Sequence, residues 1–318
     1  MHRNIGLDVT KLILAFMVVG LHAGFLGDVS TLAEYLSVNG LFRVAVPIFF
    51  IINGFFFRSV MKGGTEALWL KRVLYLYLFW MLVYSYSWFK VEHYSVLDLA
   101  NIIWVVFIGH FHLWYLPGMM GAALLLIVLR NTKETFLLLV SFCLFFIGVL
   151  IQYLGSYDVL GFGVFDELID NKWAHRNFLL LSFPFFVWGY LIGGYDLHNK
   201  LTVRHLAIIL FFGLLLLFIE SFTNYFFAMD GAGFDNLLSL AIVCPVVFML
   251  VMKLNFYGTS ANLSAYASGV YFVHPIFMGV FRRVFGLDYS ILALAVIIAA
   301  LVSTYFLIKI NKTIKIAL

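Results

Sequence analysis

The chain has 318 residues, 64% of them hydrophobic and 11% charged, with a mean hydropathy of +1.03 and a formal net charge of +4. Soluble domains hold roughly 45–50% apolar and about 25% charged residues, so a soluble enzyme with one anchor, a disordered chain and a nucleic-acid-binding polypeptide are excluded. In a multi-spanning protein a surplus of Lys and Arg reports orientation, because cytoplasmic loops retain it.

About 20 apolar residues cross the roughly 30 Å hydrocarbon core of a bilayer. Ten stretches qualify: 9–26, 41–59, 67–89, 111–129, 136–154, 178–194, 205–227, 236–254, 264–281 and 289–308. A further apolar piece at 97–109 is short and tightly joined to 111, so it reads as re-entrant or interfacial. With the N-terminus cytoplasmic, the inner ends carry Arg3, Lys11, Arg58, Lys62, Lys71, Arg72, Arg130, Lys133, Lys200, Arg204, Lys253, Lys309, Lys312 and Lys315, fourteen of the twenty cations. The outer ends hold Arg43, Lys90, Lys172, Arg176, Arg282 and Arg283 but twelve of the sixteen acids, Asp158, Asp166, Glu167 and Asp170 among them. The expected fold is therefore an all-α polytopic membrane protein of about ten transmembrane helices, with a possible re-entrant segment and both termini cytoplasmic. No long soluble insertion or internal repeat interrupts it, so residues 1–318 read as one membrane-embedded domain.

The first span begins with a basic tip and an apolar run, as a secretory signal does. It lacks a small-x-small cleavage site and contains Lys11 and His22, so it reads as retained. Ionisable groups within spans are costly and usually face a bundle interior. Asp8 precedes Lys11 by three residues, a helical pairing distance. His22 follows Lys11 by eleven, which returns to within about 20° of the same face and lies about 16 Å further along the axis. Topology-setting snorkelling accounts for any one of them; a shared interior surface accounts for all three.

In the second span, Pro47 with Asn53 and Gly54 predicts a kinked or locally unwound helix beside a cavity. Arg43 at its outer end either pairs an acidic substrate group or snorkels. Lys71 and Arg72 open the third span on the cytoplasmic side, where the positive-inside rule places cations with or without a phosphorylated ligand. His110, His112 and Trp114 lie at the outer end of the fourth span, where interfacial belt residues also collect, and two His spaced i, i+2 do not share a helical face. Cys143 and Cys244 fall in separate spans and read as small packing residues. Arg176 and Asn177 open the sixth span. His274 beside Pro275 interrupts the ninth and either acts chemically or bonds the backbone that Pro275 frees.

These blocks together resemble the acyltransferase 3 family of integral-membrane acyltransferases over nearly the whole chain. The resemblance rests on Asp8, Lys11 and His22; the Arg43 to Phe57 run, with Asn53 where Ser is usual; Lys71-Arg72 to Trp80; His112-Leu-Trp-Tyr-Leu; Arg176-Asn177 to Pro184 and Gly189; and Tyr271-Phe-Val-His274-Pro. Two departures stand out. Lys11 occupies a position that is often Arg, and Trp69 replaces one Arg of a paired motif, leaving Arg72 with Lys71.

The resemblance implies a multi-pass protein of a bacterial inner membrane. It would transfer an acyl group, most often acetyl, from cytoplasmic acyl-coenzyme A to a hydroxyl of a cell-surface glycan or its lipid-linked precursor. His22 would be the general base or a transient acyl carrier, with Asp8 and Lys11 shaping the inner path. Arg72 and Lys71 would attract the donor's phosphates, while Arg43, Asn53, His112, Trp114, Arg176 and His274 would line the acceptor side. No metal and no nucleic acid is implied. Some members append a soluble esterase-like domain, for which this chain has no length left. The competing readings are a transporter or flippase of a lipid-linked saccharide and a membrane glycan polymerase.

Overall fold

A computed structural model describes residues 3–89, 95–159, 171–229, 233–254, 256–258, 262–314 and 317–318. Lys90, Asp166, Glu167, Asp170 and Lys315 lie outside the described residues.

The described chain is helical apart from a two-residue antiparallel bridge between Arg3–Asn4 and Tyr257–Gly258. The principal helices are α1 (Ile5–Ala23), α2 (Thr31–Val38), α3 (Ala45–Lys62), α4 (Glu66–Val83), α5 (Val96–Ile108), α6 (Tyr115–Val128), α7 (Glu134–Ser156), α8 (Phe183–Tyr195), α9 (Val203–Phe227), α10 (Leu240–Lys253), α11 (Asn262–Phe285) and α12 (Tyr289–Ile314). Among the described residues, eight helical segments are long and apolar enough to cross a membrane. The difference from ten lies in α4 and α10. Glu66, Lys71 and Arg72 crowd charge into the eighteen residues of α4, and α10 has only fourteen, a rise of about 21 Å. The 97–109 piece forms α5, thirteen residues with none buried, too short for a straight crossing.

Local chemistry sets the boundaries. Asn4 caps α1 by accepting from the Leu7 amide at 3.0 Å, and Gly24 ends it at φ 76°, a left-handed conformation that suits glycine. Pro47 does not kink the second span. Helix α3 begins at Ala45, so the proline sits in the first turn, where its missing N–H breaks no helical bond. The irregular backbone falls earlier, in a 3-10 turn at Leu41–Val44.

Apolar contact gives little drive for helix association in lipid, so close backbone approach at small residues matters more. Gly54 and Gly189 provide it: a Cβ on the first would overlap the Phe186 carbonyl, and one on the second the Ile51 carbonyl. This locks α3 against α8 through the centre of the bundle. Helices α1 and α11 lie side by side in register, Lys11 meeting Ser264 at 3.4 Å and His22 meeting His274. One end of the bundle gathers the terminal bridge and the Lys253 to Asn199 carbonyl bond. The other gathers the Asp28–Ser290 contact and the tie between Met229 and Ser156.

Candidate active site

Three imidazoles meet in the half of the bundle remote from the N-terminus. His22, near the end of α1, stacks on His274 of α11 with centroids 5.5 Å apart and planes at 17°. His112 stands 5.2 Å from His274 at 68°, and Phe111 covers His22 at 4.6 Å. His274 and His112 are buried, at 0% and 3% exposure; His22 is only partly covered and is the most accessible of the three.

The His-Pro pair explains how His274 is held. Pro275 has no N–H to give the Tyr271 carbonyl four residues back. His274 Nδ1 donates to that carbonyl at 2.7 Å, with the Val270 carbonyl at 3.3 Å. The helix therefore continues through Pro275 and the interruption expected there does not occur. Donation from Nδ1 leaves Nε2 with its lone pair, and among the described residues Nε2 is buried without a hydrogen-bond partner.

His112 is brought inward by backbone geometry. Gly109 has φ 98°, and a Cβ there would press on the Trp114 backbone at 2.7 Å. Phe111 follows at φ 48°, opening the 3-10 turn Phe111–Trp114. Tyr271 then donates its hydroxyl to the His112 carbonyl at 2.5 Å, fastening the turn to α11.

Beside the imidazoles lies a charged cluster built from distant segments. Asp235 forms ion pairs with Arg43, in very close contact, and with Arg176 at 3.6 Å; His175 Nε2 stands 4.0 Å away. Arg43 and Asp235 are each 13% exposed at the side chain. Burial opposes ionisation of Asp235 most strongly, yet Arg43, Arg176 and His175 hold its carboxyl down at about 2. Burial pushes His175 down to about 4, so it is neutral at physiological pH.

Arg43 is fully engaged: beyond Asp235 it donates to Asn39 Oδ1 at 2.6 Å and to the Val38 carbonyl at 3.0 Å. It anchors the entry to α3. Arg176 stands over the Trp114 and Trp173 rings, at 5.1 and 5.3 Å. Asn177 supports it by capping the π-helical turn Phe178–Ser182, accepting from the Leu179 and Leu180 amides, both at 2.9 Å; such turns recur at functional sites. Asn53 spends its amide nitrogen on the Phe49 carbonyl and the Tyr115 hydroxyl, at 2.9 and 2.7 Å, and so positions Tyr115.

The remaining candidates lie elsewhere. Lys11 sits 3.8 Å from the buried Asp8 and over the Phe56 ring at 5.8 Å. This pair faces α11 as His22 does, but near the opposite end of α1. Lys71 and Arg72 are exposed on α4, Lys71 over Tyr75 at 5.6 Å. The structure thus joins His22, His112, His274, Trp114, Arg43 and Arg176 in one region and leaves Asp8, Lys11, Lys71 and Arg72 apart. Asp235 and His175 did not stand out in the sequence. The clue to Asp235 was the presence of two outer arginines in need of a counter-charge.

Among curated proteins, the chain is similar to an amino-acid racemase of Enterococcus faecalis, 27% identical over 306 residues, covering 86% of this chain and 41% of the relative. A second amino-acid racemase of that organism is 30% identical over 203 residues, covering 60% and 27%. A serine/alanine racemase of Enterococcus gallinarum is 24% identical over 301 residues, covering 86% and 40%. The chain therefore spans about two fifths, or less, of the length of these relatives. No solved structure matches it. The acyltransferase domain model matches residues 4–309, and with the histidines and the Arg176-Asn177 turn placed as described, the chain belongs to the acyltransferase 3 family.

Proposed function

We propose that this chain moves an acyl group, acetyl in the simplest case, from acyl-coenzyme A to a hydroxyl of a surface glycan or its lipid-linked precursor, in a bacterial inner membrane with both termini cytoplasmic. The convergence of His22, His112 and His274, with a lone pair left on His274, carries this reading. An attacking hydroxyl must give up its proton as its oxygen bonds the thioester carbonyl and the C–S bond breaks. A neutral imidazole can take that proton and return it to the departing thiolate. His22, the most accessible ring, is the base or carries the acyl group transiently.

The donor's phosphates suit Lys71 and Arg72. Both are exposed, and among the described residues Arg72 makes no hydrogen bond or ion pair, so its charge is uncommitted. The inner position of these two cations follows from the loop charge bias. Asp8 and Lys11 then flank the route toward His22.

Labelling with acetyl-coenzyme A in membranes bearing His22→Ala tests the reading. Transfer should fall by roughly 10²–10⁴-fold; undiminished transfer would sink it. Mass spectrometry of the surface glycan with and without the gene identifies the acceptor. A second reading draws on the relatives' names, amino-acid racemase and serine/alanine racemase: the chain would handle an amino acid, as acceptor or as cargo. Uptake of labelled serine by proteoliposomes, independent of acyl-coenzyme A, would favour it.

A further inference from the structure

We propose that the acceptor bears an oxyanion, a carboxylate or a phosphate, and that Arg176 is the group that receives it. The inference rests on the acyl-transfer reading above and adds the class of acceptor.

The argument begins with charge. Among the described residues, Arg43 and Arg176 share the single carboxylate of Asp235, and His175 is neutral at physiological pH. Among the described residues, with Lys172 also acting on Asp235, positive charge therefore exceeds negative charge in this cluster. The two arginines are not equivalent. Arg43 spends Nε, Nη1 and Nη2 on Val38, Asp235 and Asn39. Arg176 reaches Asp235 through Nη1 alone, at 3.6 Å, beyond an ordinary hydrogen bond.

Its Nε is buried without a partner among the described residues, and Nη2 makes no hydrogen bond there. A buried donor left unmade is costly, and a guanidinium more so than a neutral group. Nε and Nη2 together form the side edge that takes a carboxylate or phosphate in two parallel bonds. The guanidinium stands over both the Trp114 and Trp173 rings, contacts that restrict it before binding and so lower the ordering cost.

The same cluster bears on the site of transfer. Trp114, whose ring lies 5.1 Å from Arg176, is two residues from His112, which stands 5.2 Å from His274. An anion bonded to Arg176 would tether the acceptor beside the histidines, turning an encounter into a positioned reaction.

The test is calorimetric titration of the purified full chain without acyl donor, so that anion binding is read apart from acyl transfer. The probes are methyl glucuronide, inorganic phosphate and neutral methyl glucoside. At least one anion should bind about tenfold or more tightly than the neutral sugar, the scale of a charge-assisted bond. Arg176→Gln should remove that preference, and Arg176→Lys should weaken it several-fold because it keeps charge without the fork. Preference for the glucuronide points to an acidic sugar, and preference for phosphate to a phosphorylated or lipid-linked acceptor. Equal binding of all three probes, no binding of either anion, or an unchanged preference in Arg176→Gln would overturn the proposal. Should the glutamine variant not fold, the salt response of the wild type decides: anion affinity must fall with ionic strength while the neutral sugar is indifferent. Anion binding without acyl transfer would instead count against the transfer reading.

Discussion

At the His22 end of the bundle, titratable side chains are tied to one another across three segments, whereas on α4 the cations Lys71 and Arg72 stand exposed on a single helix. Arg43, Asp235 and Arg176 fix one another's geometry at low exposure, where charge pairs are strong and poorly screened. Exposed cations on long stems act as a diffuse field that attracts a mobile anion and yields to salt. On the proposed reading, the first arrangement would orient a reacting group and the second would capture a polyanionic donor from water. Between them, Asp8 with Lys11 and Arg58 with Glu134, at 2.9 Å, form ion pairs in the half nearer the N-terminus.

Removing the carboxylate at the tied end should have the largest effect on stability. Asp235→Ala leaves two guanidinium groups facing each other at low exposure and should cost about 3–5 kcal/mol, read as a lower melting temperature in detergent. A melting temperature within a degree or two of wild type would show that the cluster does not hold the segments together.

Acid should act at the same place. Asp235 has a folded pKa below its ordinary value, so its stabilisation is present above the ordinary carboxylate range and is lost as pH falls toward about 2. His175 is lowered to about 4, so the unfolded chain binds the extra proton between about 6.5 and 4, and stability falls with pH through that window as well. Thermal melts from pH 7 to pH 4 should decline, and His175→Gln should flatten the upper part of the decline.

A smaller loss is expected for Tyr271→Phe. It deprives the buried His112 carbonyl of its donor, about 1–3 kcal/mol, and should lower the turnover number more than it raises KM because the 3-10 turn loosens. Equal kinetics would separate His112 placement from activity. The smallest stability change belongs to Lys71→Ala and Arg72→Ala, within about 0.5 kcal/mol as for ordinary surface sites. Their expected signature is a several-fold higher KM for the acyl donor that converges with wild type at high salt.

Helical periodicity made part of this legible. The eleven-residue spacing of Lys11 and His22 does put both against α11, because a helix face is a local property. The His274-Pro275 pair also advertised itself, since a proline inside a span must leave a carbonyl free. Pro47 was misleading for a related reason: its consequence depends on where the helix starts, and Ala45 opens α3 only after the 3-10 turn. Helix starts likewise separated α10 from the longer expected span. Asp235 was invisible because its meaning comes from partners 192 and 59 residues away, and no periodic pattern records a contact of that range.

The ion pair between Arg43 and Asp235 spans 192 residues, and this has a consequence for biogenesis. At translation speeds of about 5–20 residues per second, Arg43 emerges roughly 10–40 s before its counter-charge. During that interval the first helices sit in the bilayer with an uncompensated guanidinium at the entry to α3. The final seating of the helices around His22 must therefore wait for the segment between α9 and α10, so chains interrupted before residue 235 would hold an unfinished site that helper proteins and proteases can recognise.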